Sequence, residues 1–193
     1  MKLQDFIDEE FDDLDLYVKA TSFDEAGDLR LLAQYGSNLQ RDNRWNVELR
    51  FIEPIEIAVT VGYVGTIAQH THHPLLAEHC EPHAQVFFSS APRSPETVFY
   101  LAHRILSREL DGWRNPSAYL NGTPDELSEH LVGGFGLLAS GPLSAMSAVA
   151  EAVGPLLTVR VIESKTVRDA AVAITFDRGF VICKSVEVLR NDG

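Results

Sequence analysis

The chain has 193 residues, 45% of them apolar, and its 28 acidic and 16 basic side chains give a formal net charge of −12. A strongly negative protein repels nucleic acid and anionic lipid, so the charge argues against both as ligands. It favours either a basic protein partner or a role in solubility alone. No apolar run approaches the roughly 20 residues that a membrane-spanning helix needs, so we expect no membrane partner.

The beginning of the chain and the cysteine count bear on the compartment. Acidic side chains stand where a secretory signal would carry Lys or Arg: Asp5, Asp8, Glu9 and Glu10. Cys80 and Cys183 are too few to form a disulfide scaffold. We therefore expect a cytoplasmic protein in which both thiols are reduced.

Residues 3–14 predict an amphipathic helix. Apolar residues recur at helical spacing, at Leu3, Phe6, Ile7, Phe11 and Leu14. The opposite face is acidic, with Asp5, Asp8, Glu9, Asp12 and Asp13. Acidic residues near the end of a helix oppose its dipole, so a tertiary contact or a partner has to offset their repulsion.

The rest of the chain alternates between strand and helix signals in blocks. Apolar and polar residues alternate in segments that predict strands over 16–23, 29–35, 45–51, 55–61, 84–90, 156–162, 171–176 and 180–188. Capping and stop signals predict helices over 94–112, 123–134 and 140–155. Because strands and helices do not alternate strictly, we predict an α+β fold with a mostly antiparallel sheet of about six to eight strands and about three to four helices. We expect a single domain over residues 1–193.

Five of the seven histidines fall within residues 65–83, which we predict to be a long surface loop because glycines and prolines interrupt the segment. The residue types match zinc ligands, and the candidates are His70, His72, His79, Cys80 and His83. Glu78 or Glu81 would then be the base that activates a metal-bound water. The spacing matches neither H-E-x-x-H nor the zinc deaminase pattern. An ordinary loop or an interface loop therefore competes with a zinc-dependent hydrolase or metal-binding protein.

The glycine-rich segment 133–142 offers a second candidate site. Gly136 and Gly141 have the spacing of a phosphate-binding P-loop, but Pro142 and Leu143 follow where Lys and then Ser or Thr are required. We interpret this segment as the end of one helix followed by the start of the next.

The acidic N-terminal region carries the functional prediction. We expect a non-enzymatic inhibitor or immunity-type protein that neutralises a basic partner, such as a toxin nuclease, by covering its cationic surface or active site. The predicted partner-binding residues are Asp5, Asp8, Glu9, Asp12, Asp13, Asp15, Asp24, Glu25 and Asp28. No catalytic residue is assigned, because no complete catalytic signature is present. A structural or assembly subunit, which would bury the acidic helix in a homo-oligomer, is a further alternative.

Overall fold

The computed structural model describes residues 2–10, 15–36, 44–164, 170–177 and 179–191. These residues form an α+β fold with five α-helices, ten strands and a short 3₁₀ helix at Pro116–Tyr119. The helices are α1 (Leu3–Glu10), α2 (Pro74–Cys80), α3 (Pro95–Glu109), α4 (Pro124–Gly133) and α5 (Leu143–Val153). The strands are β1 (Asp15–Phe23), β2 (Leu29–Gly36), β3 (Arg44–Ala58), β4 (Gly62–Val64), β5 (Ile67–His70), β6 (His83–Phe88), β7 (Gly136–Pro142), β8 (Val159–Glu163), β9 (Val172–Phe176) and β10 (Gly179–Asn191).

The chain divides into two compact units. The first unit contains Met1–His73 together with Ala170–Gly193, and the second contains Pro74–Asp169. The predicted α+β class and the antiparallel pairing are confirmed. That the whole chain forms a single domain stays a prediction. None of the helices in the described ranges combines the length and the hydropathy that a bilayer crossing requires.

In the first unit, seven antiparallel strands form a curled sheet in the order β4-β1-β2-β3-β10-β9-β5. The two edge strands, β4 and β5, follow one another in the chain and are separated by only Gly65 and Thr66. Asp177, in the turn between β9 and β10, accepts hydrogen bonds from the backbone N–H groups of Gly65 and Thr66, both at 2.9 Å, and from the Thr66 hydroxyl at 2.8 Å. These contacts fix the β4–β5 link beside the β9–β10 turn. The side chains on the inner face form the core of this unit, including Leu16, Val18, Leu31, Leu49, Phe51 and Val181.

The prediction of two strands on either side of Pro54 is wrong. A single strand, β3, runs through the proline. Glu53 adopts φ +49° and the register with β10 shifts between Pro54 and Glu56, so a bulge accommodates the ring. Among the described strands, β2 pairs with β3 only as far as Phe51. Pro54 therefore lies where β3 has one neighbour, a position that tolerates the missing N–H.

In the second unit, three antiparallel strands in the order β7-β6-β8 pack against helices α3 and α5. The predicted helix starts at Ser94 and Thr123 are confirmed, whereas the third helix, α5, begins at Leu143 after β7 and not at Ser140. The Ser94 side chain accepts a hydrogen bond from the Thr97 N–H, and Thr123 and Glu126 form a reciprocal capping box. Gly134 ends α4 in the left-handed conformation, at φ +78°.

Two predicted loops contain regular structure. Residues 65–83 include β5 and α2 rather than one long loop, and residues 136–142 form β7 rather than a connection between helices. Pro74 is the first residue of α2, a position where the ring needs no N–H partner, so it starts a helix instead of breaking one. The main sheet has seven strands, within the predicted six to eight, and β7 belongs to a separate three-stranded sheet. Helix α2 brings the described α-helices to five, one more than predicted.

Candidate functional site

Helix α1 is held in place by its apolar side. Leu3 and Phe6 are fully buried in the core of the first unit. The Phe6 ring meets the Tyr35 ring edge-on, with 5.2 Å between centroids, and the Tyr35 ring packs beside Trp45 at 5.5 Å. The opposite side of the helix is thereby fixed towards solvent.

The structure places two of the predicted acidic residues together on this solvent side. Asp5 and Asp8 are exposed and lie three residues apart, which puts them on one face of the helix. Gln4 Nε2 donates a hydrogen bond to Asp8 Oδ1 at 2.8 Å, and within the described ranges no cation forms an ion pair with either carboxylate. We call Asp5 and Asp8 the acidic face of α1. For Glu9 and Asp15 the structure describes the backbone alone, and Asp12 and Asp13 lie outside the described residues.

The predicted extension of the acidic surface, in the turn between β1 and β2, is engaged within the protein. Asp24 Oδ1 accepts the N–H groups of Ala26 at 2.9 Å and Asp28 at 3.0 Å, and Asp24 Oδ2 lies 3.2 Å from Arg30 Nη2. Burial raises the pKa of Asp24, but the N–H of Asp28 and the Arg30 guanidinium outweigh it and hold that pKa below its usual value. Glu25, which follows Asp24 in this turn, is exposed.

Asp28 is buried and, like Asp24, bonds to an arginine and to a backbone N–H group within the protein. Its Oδ2 lies 2.8 Å from Arg50 Nη2, and its Oδ1 accepts the Glu53 N–H at 3.0 Å. Arg30 and Arg50 are directly opposite each other on β2 and β3, and Arg30 Nη1 also lies 3.4 Å from Glu48 Oε1. The three carboxylates and two guanidiniums sum to −1, so this region adds little negative charge for a partner. The contacts favour a structural role for Asp24 and Asp28, and partner binding by them remains untested.

The histidine-rich segment is split between the two units. In the first unit, His70 Nε2 is hydrogen-bonded to Thr175 Oγ1 at 3.0 Å, and the His70 and His73 rings lie 4.6 Å apart. Burial lowers the pKa of His70, which favours the neutral imidazole. His72 is exposed and hydrogen-bonded through Nδ1 to the Thr71 hydroxyl at 3.1 Å.

The remaining candidate ligands lie in the second unit. His79 and Cys80 are half-buried in the last turn of α2, and His83 begins β6 with its Nε2 3.7 Å from Glu78 Oε2. Glu81, one of the two candidate bases, accepts the Ser144 N–H at 3.0 Å. Among the residues that the structure describes, no group of three or more His, Cys, Asp or Glu side chains is arranged to hold a metal ion. The zinc site therefore stays a prediction.

Sequence reasoning missed a group of exposed apolar side chains in the second unit. Phe135, which separates Gly134 from Gly136, and Val132 on α4 are both strongly exposed. The sequence contains no local signal that separates an exposed aromatic residue between two glycines from a buried one.

The chain matches no family model, no curated protein and no solved structure.

Proposed function

We propose that this protein is a non-enzymatic acidic binding protein, of the immunity or inhibitor type, whose partner is a basic protein such as a toxin nuclease. One observation carries the proposal. The acidic face of α1 is exposed on a helix whose other side, at Leu3 and Phe6, is completely buried.

The acidic face of α1 is electrostatically preorganised for a cationic partner. A helix that is packed on the core presents its carboxylates without a cost for ordering the backbone at the moment of binding. The chain has a net charge of −12, and residues 1–60 hold 14 acidic and 6 basic residues, so the summed field of the protein has the same sign as the acidic face of α1. Such a field accelerates the encounter with a cationic surface and disfavours anionic competitors.

We place the complex in the cytoplasm, where thiols stay reduced. Cys80 and Cys183 are both free thiols. Burial raises the pKa of Cys183 to about 12, so this side chain behaves as an inert core residue and not as a reactive group.

The test is affinity capture from native lysate at low salt, followed by mass spectrometry of the retained proteins. Wild type is compared with Asp5→Lys/Asp8→Lys and with a matched control, Glu151→Lys/Glu163→Lys. Both variants change the net charge from −12 to −8, and all four positions are exposed. The control therefore separates a local docking surface from the charge of the whole molecule.

The proposal expects wild type and the control to retain one basic protein, which salt releases and which the α1 variant fails to retain. Retention of the same protein by the α1 variant would remove α1 as the docking site. Retention of acidic proteins only would contradict the electrostatic argument.

A further inference from the structure

The Phe135 side chain is exposed to solvent, although the backbone on either side of it packs closely against the second unit. The side chain is 78% exposed. The flanking residues Gly134 and Gly136 both adopt positive φ, at +78° and +155°. A Cβ atom on Gly134 would lie 3.4 Å from the Ala91 nitrogen, and one on Gly136 would lie 3.3 Å from the Phe88 ring. The loop therefore packs closely against its own unit while the phenyl ring points outward.

Phe135 does not stand alone. Val132 precedes it by three residues at the end of α4 and is 69% exposed, and Leu156 is 41% exposed. Phe88, the last residue of β6, pairs with the first residues of both β7 and β8, so the segments that lead into these strands meet at one end of the three-stranded sheet. We call Val132, Phe135 and Leu156 the apolar tip. Single exposed apolar side chains need no explanation, but several of them gathered at one end of a sheet are typical of an interaction site.

Negative charge adjoins the apolar tip. Asp125, Glu129 and Val132 follow at spacings of four and three residues, so they line one face of α4. The helix contains no Lys or Arg, and its third acid, Glu126, stays ionised because the Thr123 N–H lowers its pKa. The loop after β6 contributes Arg93 and the start of β8 contributes Arg160, so these five charges sum to −1.

We propose that the apolar tip is a second docking surface, on which Phe135 inserts into an apolar pocket rimmed by Lys and Arg on a basic protein. Aromatic side chains in such pockets dominate binding energy at protein interfaces, and charges around them set partner choice. The identity of the occupant rests on the proposed function, which also requires a basic partner. A second copy of this chain is disfavoured because it would bring its own acidic α4 and its net charge of −12 to the contact.

The test places the photo-crosslinking amino acid p-benzoylphenylalanine at position 135 of the full chain, in native lysate. The matched control carries it at Tyr100 on α3, which is 60% exposed; Arg104 Cζ lies over its ring, 5.6 Å from the centroid. The expected product is an adduct from position 135 to a basic protein, mapped to a site with apolar and cationic residues. An adduct to a second copy, to an acidic protein, or no more adduct than from position 100 would overturn the proposal.

Point variants give an independent reading with the captured partner. Phe135→Ser is expected to weaken affinity by at least about tenfold, whereas Tyr100→Ser changes it by less than about twofold. Both side chains are largely exposed, so the variants should keep the wild-type melting temperature. Loss of binding in Asp5→Lys/Asp8→Lys with full binding in Phe135→Ser would overturn this inference and leave the proposed function standing. The opposite pattern would remove α1 as the docking site and support the apolar tip.

Discussion

Replacing Phe6 with Ala tests whether α1 is a fixed part of the first unit. The Phe6 ring is fully buried and meets Tyr35 at 5.2 Å between centroids, so truncation leaves a cavity and removes an aromatic contact. Core Phe→Ala substitutions cost about 3–5 kcal/mol. For a chain of this size the loss corresponds to a fall in melting temperature of about 6–20 °C.

The assay is equilibrium unfolding in urea, followed by tryptophan fluorescence. Trp45 lies beside Tyr35 in the first unit, and a Trp113→Phe background silences the other tryptophan, which lies in the second unit. With an m-value of about 2 kcal/mol/M, the midpoint should fall by roughly 1.5–2.5 M. Gln4→Ala, on the exposed side of the same helix, is the control and should cost less than about 0.5 kcal/mol.

A loss of unfolding free energy below about 1 kcal/mol for Phe6→Ala would contradict the burial of this ring, because removal of a fully buried ring costs about 3–5 kcal/mol. It would mean that α1 is not packed as described. The acidic face of α1 would then have no fixed orientation, and the argument for preorganised docking would fail with it.

Two further expected outcomes rest on contacts in the structure, and a third, the absence of bound zinc, rests on the proposed function. The hydrogen bond from the Gly65 N–H lowers the pKa of Asp177, so the ionised carboxylate stabilises the fold above the unfolded pKa, and this stabilisation is lost as the pH falls below about 4. Asp177→Asn should therefore be less stable than wild type at pH 7, and its stability should fall less steeply between pH 4 and pH 2 in acid unfolding monitored by circular dichroism. Parallel unfolding curves for the two proteins would contradict this. Thr123→Ala removes the capping box and should cost about 1 kcal/mol in thermal unfolding, while Thr123→Ser should lose much less, and equal losses would exclude capping as the cause. Elemental analysis of protein purified without a histidine tag should find no stoichiometric zinc, whereas one equivalent that disappears in His79→Ala/His83→Ala would establish the metal-protein alternative.

The local parts of the fold were predictable from the sequence. The capping residues Ser94 and Thr123 bond to groups only three residues further along the chain, so the local sequence is enough to predict these helix starts. Pro54 was misleading because its effect depends on distant strands. Whether a proline ends a strand is decided by where β2 stops and β10 continues, and a single sequence does not show that pairing.

The candidate site was predictable only in part. The helical spacing of Leu3 and Phe6, with acidic residues between them and after them, correctly predicted which side of α1 is buried. The sequence could not show that Asp24 and Asp28 meet arginines, since that contact depends on the β2–β3 register that sets Arg30 opposite Arg50. The exposure of Phe135 was likewise hidden, because an aromatic residue between two glycines is equally compatible with a core position.

The most direct test of the account is the association rate with the captured basic partner, measured by stopped-flow as a function of ionic strength. We expect Asp5→Lys/Asp8→Lys to slow association by more than about tenfold at low salt, with the difference fading at high salt, and the Glu151→Lys/Glu163→Lys control to change it by less than about twofold. Equal slowing by both variants would assign the effect to net charge alone, and an unchanged rate in the α1 variant would contradict docking at this helix.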